Sequence, residues 1–143
     1  MMHTIRQILD EKGRDVHAVK PDDTVLEAIR RMAELGIGAL LVMDDGRLLG
    51  LISERDYARK VILADRRSHD TRVADIMSAP AITIDARATA EAGLALMTNK
   101  RIRHLPVLDQ GKLVGVVSVG DLVYTILGDQ QDLIEQLERY VTG

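Results

Sequence analysis

Two hydrophobic rhythms alternate along this chain, and the alternation is played twice. Ile5, Ile8 and Leu9 share one face of a stretch closed by Gly13, which predicts a short helix over 3–11. Asp15 to Val19 reads as a short extended piece. Pro21-Asp22-Asp23 then turns the chain, and Asp23 or Thr24 is placed to cap a helix. In that helix Val25, Ala28, Ile29, Met32 and Ala33 recur at helical spacing, with Glu27, Arg30, Arg31 and Glu34 on the wet side. Gly36 ends it after Leu35. Ala39 to Met43 is apolar throughout, the pattern of a strand covered on both faces. Asp45-Gly46 predicts a tight hairpin, and Leu48 to Ile52 the returning strand. Ser53 stands at the N-cap of a helix running to about Ala64, with Tyr57, Val61 and Ile62 inward.

After the polar stretch Asp65 to Thr71 the same order returns. Val73 to Met77 reads as a helical turn and Ala81 to Ile84 as a strand behind Pro80. Thr89 to about Asn99 reads as a helix with Ala92, Leu96 and Met97 on its apolar side. Arg103 to Leu108 and Lys112 to Val117 form a second hairpin, and Ser118 caps a helix to about Leu127. A last amphipathic segment, Asp129 to Val141, lines up Leu133, Leu137 and Tyr140. Gly36 to Asp56 lies over Arg101 to Asp121 without a gap. Ile37/Ile102, Leu40/Leu105, Val42/Val107, Asp44/Asp109, Gly46/Gly111, Leu48/Leu113, Gly50/Gly115, Ser53/Ser118 and Asp56/Asp121 are identical pairs. A repeated unit carries a face that it cannot bury alone, and with two copies the simplest solution is burial against each other.

Composition narrows the classes. The 143 residues suffice for one compact domain with a sizeable core, and 46% apolar with 29% charged residues suits a soluble globular protein. No apolar run is long enough to span a bilayer, and the start does not read as a signal peptide. The terminal segment has one basic residue, Arg139, where a membrane-surface helix carries several. The absence of cysteine fits a cytoplasmic protein. A net charge of −3 and an aromatic content of 2% argue against nucleic-acid binding. The four histidines have no metal-ligand spacing, so no metal site is expected; His3 and His69 read as surface residues, and Met32 and Met97 as core.

The chemistry is concentrated in two matched segments, Gly50-Leu-Ile-Ser53-Glu-Arg-Asp56 and Gly115-Val-Val-Ser118-Val-Gly-Asp121. A lone Ser-x-x-Asp phrase is ordinarily a helix cap. Two in register, each behind a strand–turn–strand and each with a glycine three residues ahead, favour a site. A carboxylate in the first turn of a helix can accept from both hydroxyls of a ribose, and the backbone N–H groups there suit a phosphate.

With the phrase Leu105-Pro106-Val107-Leu108-Asp109, these segments resemble the cystathionine-β-synthase (CBS) domain family. The two copies resemble its tandem form, the Bateman module, in its small stand-alone type. The resemblance runs from Asp15 to Leu127. It implies an α/β fold of two β-α-β-β-α repeats, 12–64 and 71–128, related by a pseudo-twofold axis and packed through their sheets. A short N-terminal helix and a C-terminal helix, 129–143, complete one module over 1–143. It implies two clefts, occupied in many members by AMP, ADP, ATP, S-adenosylmethionine or NAD(H), and modules that pair as homodimers.

The same resemblance assigns residues. Asp121 and Asp56 hold ribose, with Ser118 and Ser53 beside them. In the cleft ending at Asp121, Val16, His17, Ala18, Gly38, Ala39, Leu40 and Val116 surround adenine, and Arg103 lies near the phosphate. The cleft ending at Asp56 mirrors it with Ala81, Ile82, Thr83, His104, Leu105, Leu51 and Ser53. His104, Arg55 and Lys12 are also assigned to phosphate. Alternation places Arg101 and Arg103 on one side of their strand and His104 on the other, so a solvated edge with a core-satisfied histidine competes. Arg59 and Lys60 read as a wet helix face. Gly120 stands where members often carry a side chain, and Leu41 stands opposite Pro106, so the clefts are not equivalent.

The expectation is a regulatory module that binds an adenosine ligand, senses energy or redox state, and modulates an unknown protein partner by changing shape. The alternative is an interaction or dimerisation module whose clefts bind nothing. No nucleophile–base pair or phosphate-gripping glycine loop points to an enzyme.

Overall fold

The structure, a computed structural model, describes residues 2–142. The termini of the expected 1–143 module, Met1 and Gly143, lie outside them. The chain is α/β, with six helices and two three-stranded sheets among the described residues. It divides into two compact units: Val16–Ile82, and a second made of the residues up to Asp15 together with those from Thr83 onward.

In the first unit, β1 (Ala18–Val19) pairs in parallel with β2 (Ala39–Asp44), which pairs antiparallel with β3 (Arg47–Ser53). Helix α2 (Val25–Leu35) connects β1 to β2. Thr24 caps it by accepting from the Glu27 amide, while the Glu27 carboxylate accepts from the Thr24 amide. Gly36 ends it in the left-handed region at φ 67. The expected hairpin closes through Asp45 and Gly46 at φ 48 and 74, the paired positive values of a type I′ turn. Helix α3 (Glu54–Tyr57) starts from Ser53 and widens into a π-helical turn, Ala58–Ile62. Val61 is buried, whereas Ile62, expected inward, is exposed. Val25, Ala28, Met32, Leu40, Val42, Ile52 and Val61 form the core, joined by Val73 and Ile76 of the short helix α4 (Val73–Ile76). Each valine, leucine, isoleucine or methionine among them stabilises by roughly 1.5–3 kcal/mol when fully buried.

The second unit repeats this plan. Strand β4 (Ile84–Asp85) pairs in parallel with β5 (His104–Asp109), which pairs antiparallel with β6 (Lys112–Ser118). Residues 81–83, expected in the strand, lie ahead of β4. Both β2/β3 and β5/β6 carry a register shift at matching places, Val42/Met43 and Val107/Leu108. Helix α5 (Ala90–Lys100) buries Ala90, Gly93 and Met97 rather than Ala92 and Leu96. Helix α6 runs unbroken from Val119 to Thr142, so the expected separate helix at 129–143 is the continuation of the one capped by Ser118.

The units differ from the expected repeats in one respect. Helix α1 (Ile5–Lys12) precedes the first repeat but packs in the second unit, where Ile5 and Arg6 donate to the carbonyls of Ala88 and Ala86. Helix α4 opens the second repeat in sequence but packs in the first unit, where Val73 and Ala74 donate to the carbonyls of Asp23 and Pro21. His3, expected at the surface, is half-buried: its amide donates to Asp129 Oδ2 at 3.3 Å, and its Nδ1 lies 2.6 Å from Oδ1.

Candidate functional site

Each unit brings a strand end, a neighbouring strand start and a helix start to one place. In the second unit His104 pairs with Ser118, and the Val119 amide donates to the Arg103 carbonyl at 2.9 Å. In the first unit Ala39 pairs with Ser53, and the Glu54 amide donates to the Gly38 carbonyl at 3.0 Å. Both Ser-x-x-Asp phrases form reciprocal caps. Asp121 Oδ2 accepts from the Ser118 amide at 2.8 Å while Ser118 Oγ accepts from the Asp121 amide at 3.1 Å. Asp56 Oδ2 accepts from the Ser53 amide at 3.0 Å and the Ser53 hydroxyl at 3.1 Å, and Ser53 Oγ accepts from the Asp56 amide at 3.2 Å.

The carboxylates then part company. Asp121 is met by Lys12, whose Nζ donates to Oδ2 at 2.8 Å and to the Val116 carbonyl at 2.8 Å. The Ser118 and Lys12 bonds both fall on Oδ2, and the side chain is 26% exposed. Burial alone would raise the Asp121 pKa; the hydrogen bonds from Lys12 and Ser118 and the Lys12 charge outweigh it and hold the group below the ordinary carboxylate range. Asp56 uses both oxygens. Its Oδ1 accepts from Ser78 Oγ at 3.3 Å and lies 3.3 Å from Lys60 Nζ, which also donates to the Ile76 carbonyl at 2.9 Å. The Asp56 side chain is 12% exposed.

A family model described as CBS domain matches residues 5–63 and 73–128, most of the chain. The chain belongs to the CBS domain family. As a CBS pair it is 49% identical to a putative signal-transduction protein with CBS domains from Burkholderia ambifaria. That crystal structure superposes with a TM-score of 0.86 over 90% of this chain and 96% of its own. The mitochondrial CBS domain-containing protein CBSX3 of Arabidopsis thaliana is 35% identical over 149 residues, 98% of this chain and 72% of its own. The CBS domain-containing protein YhcV of Bacillus subtilis is 32% identical over 123 residues, 86% of this chain and 87% of its own.

The CBS pair distributes the expected site residues between its units. Val16, His17, Ala18, Gly38, Ala39, Leu40, Leu51, Ser53, Arg55, Asp56, Ala81 and Ile82 lie in the first; Lys12, Arg103, His104, Leu105, Val116, Ser118 and Asp121 lie in the second. Lys12, expected near a phosphate in the cleft of Asp56, instead pairs with Asp121, because α1 folds into the second unit. Leu40 and Leu105, expected against adenine, are 1% and 0% exposed. Strand alternation turns Leu40 into its own unit's core with Val42, so neither leucine offers surface to a ligand. Val116, Leu51, Val16, His17, Ala18, Ala39, Ala81 and Ile82 stay partly exposed.

Two residues at the sites escaped the sequence. Lys60, read as a wet face, holds Asp56, and only its spacing of four from Asp56 hinted at this. Ser78 carried no signal, since its approach to Asp56 depends on where α4 docks. The glycines ahead of each serine serve packing. A Cβ on Gly50 would stand 2.4 Å from the Ser78 carbonyl oxygen, and one on Gly115 2.8 Å from Leu9 Cδ2.

Proposed function

We propose that this CBS pair binds an adenosine ligand (AMP, ADP, ATP or NAD(H)) at the Asp121 helix start and passes its occupancy to a protein partner, without catalysing a reaction. The observation that carries this reading is the contrast between the two carboxylates. Asp56 has both oxygens engaged and is nearly buried; Asp121 is bound through Oδ2 and keeps more of its side chain in water. A ribose diol needs a carboxylate with capacity to accept, and each charge-assisted bond contributes roughly 1.5–3 kcal/mol. Arg103, Val116 and Ser118 lie on the same unit as Asp121 and are the residues that would meet phosphate, base and sugar.

Signalling requires that the ligand bind two arrangements of the protein unequally. A second copy is the proposed first partner. Tyr124, Leu127, Leu133, Ile134, Leu137 and Tyr140 leave an exposed apolar run on α6, larger than a lone soluble helix ordinarily shows. Among the described residues no helix is long and apolar enough to cross a membrane, and a cytoplasmic site of action belongs to the proposal. Titration calorimetry with AMP, ATP and NADH tests it. Micromolar binding lost in Asp121→Ala and kept in Asp56→Ala supports it. Absence of binding below millimolar concentration, or hydrolysis of a nucleotide in the presence of magnesium, overturns it.

A second reading has its own observation. Both carboxylates already serve as helix caps with a lysine partner, which is what a module that only docks to other proteins would need. It predicts no nucleotide binding and a dimer whose stability is indifferent to AMP.

A further inference from the structure

Helix α6 stays with its unit only as far as Asp129. Leu122 and Asp129 are buried, and every residue over 130–141 is exposed, an arm of about 18 Å. Leu127, Ile134 and Val141 stand seven residues apart with Leu137 between them, the stripe of a helix that packs against another element. Helices draw most of their stability from packing such a face, and the described residues of this unit leave it bare. The arm is acidic: Asp129, Asp132, Glu135 and Glu138 stand against one base, Arg139. The matching place in the first unit is bare as well but carries the opposite charge. Ala58, Arg59 and Ile62 align with Val123, Tyr124 and Leu127. Ile62 and Leu63 are 55% and 79% exposed, and the Arg66 amide, donating to the Val61 carbonyl at 2.9 Å, folds the chain back beside them. Over 58–67 four bases stand against one acid, Asp65. Arg59 has no ion-pair partner among the described residues. Arg66 and Arg67 lie 3.7 and 3.8 Å from Asp75 and Asp70, exposed pairs that hold loosely.

Resting on the reading that a second copy is the first partner, we propose that the arm of one copy docks on the knob formed by Ile62 and Leu63 of the other, and the reverse, in a closed head-to-tail pair. Arm against arm would set a charge of −3 beside −3, and knob against knob +3 beside +3. Arm against knob brings unlike charges together. The apolar stripe supplies the affinity, and the charges choose the surface that it meets. One such contact is small; twofold closure makes it twice and leaves neither surface open.

The test is sedimentation equilibrium of the full chain at about 0.05 M and about 0.5 M salt, and its first arm needs no variant. Unlike charges predict a dimer whose Kd rises by about tenfold or more with salt. A Kd that falls with salt is what two like-charged arms would give, and it overturns the pairing. Glu135→Lys with Glu138→Lys reverses the arm, and Arg59→Glu with Arg67→Glu reverses the knob; circular dichroism checks that each protein folds, and the salt series stands if one does not. Each variant alone should self-associate more weakly by about tenfold or more at low salt. An equimolar mixture of the two should recover the dimer, because both contacts are then between unlike charges again. A tighter dimer of the arm variant, an unaffected knob variant, a mixture that does not associate, or species that grow past the dimer overturn the pairing while leaving the second-copy reading intact. A wild-type chain that stays monomeric at every concentration and both salts overturns that reading and the pairing with it.

Discussion

Gly50 and Gly115 occupy the same place in the two copies, yet replacing each with alanine should have unequal consequences. At Gly50 the new Cβ would lie 2.4 Å from the Ser78 carbonyl oxygen and 3.2 Å from Ala79 Cβ. Ordinary contact near 3.5 Å requires a backbone retreat of about 1 Å. The backbone that must retreat is tied to β3 by two hydrogen bonds, Leu51 N to Ser78 O at 3.0 Å and Ser78 N to Leu51 O at 2.8 Å. Overpacking costs about 1–3 kcal/mol and each weakened bond about 0.5–1.5 kcal/mol. The stiffer unfolded chain returns about 0.4–1 kcal/mol. Gly50→Ala should therefore lose about 2–4 kcal/mol.

At Gly115 the obstacle is the branched tip of Leu9, at 2.8 and 3.0 Å, which can turn aside. There the cost and the unfolded-state gain nearly cancel, and Gly115→Ala should stay within about 1 kcal/mol of wild type. Urea unfolding followed by circular dichroism separates the two. With a slope of about 1–3 kcal/mol per molar, the midpoints should differ by roughly 1–2 M, the Gly50 variant being the weaker. Equal midpoints, or a weaker Gly115 variant, would refute the assignment of a rigid neighbour to one glycine and a yielding one to the other.

Three further outcomes are expected. The folded-state pKa of Asp121 lies below its unfolded value of about 3.9, so the group's contribution is complete above that value and disappears as pH falls through the folded one. The stability gap between wild type and Asp121→Asn should accordingly hold steady at neutral pH and close on acidification below about pH 4; a gap that widens there contradicts the Lys12 contact. Lys60→Met leaves a nearly buried Asp56 without its cation and should cost about 1–2 kcal/mol in urea unfolding, while Arg59→Met should change stability by less than about 0.5 kcal/mol. Gly120→Ala should stabilise by about 0.5–1 kcal/mol, because a Cβ there meets only Ser118 Oγ at 3.6 Å; a loss would mean that the helix start needs a bare backbone.

Local signals made much of the fold legible. Asp45-Gly46 named its hairpin outright, and Gln110-Gly111, at φ 52 and 79, followed by superposition. Thr24, Ser53 and Ser118 stood where caps belong. Legibility failed where packing used residues that leave no hydrophobic mark. In α5 a Cβ on Gly93 would meet Leu122 Cδ1 at 2.9 Å and Ile5 Cδ1 at 3.3 Å, so the buried face passes through a glycine. The apolar periodicity, blind to glycine, was drawn toward Ala92 and Leu96. At the sites, sequence located Asp56, Asp121 and their serines, but not the partners that hold them. Lys12 and Asp121 are 109 positions apart, and no periodicity reports that distance.

The inequality of the two carboxylates has its origin outside the repeated stretch. Gly36–Asp56 and Arg101–Asp121 match closely, and each builds the same hairpin, cap and helix start. The added contacts on Asp121 come from α1. Those on Asp56 come from Lys60 and from Ser78, just past α4, with the Ile76 carbonyl of α4 anchoring Lys60. Each of these two helices opens one copy in sequence and packs with the other. Neither copy, taken as a continuous interval, contains everything that meets its own acidic helix start. A long cation at the end of α1 leaves Asp121 engaged on one oxygen and partly wet; a short hydroxyl behind α4 helps close Asp56 on both. Repetition therefore makes two equivalent acids, and the exchanged leading segments make them different.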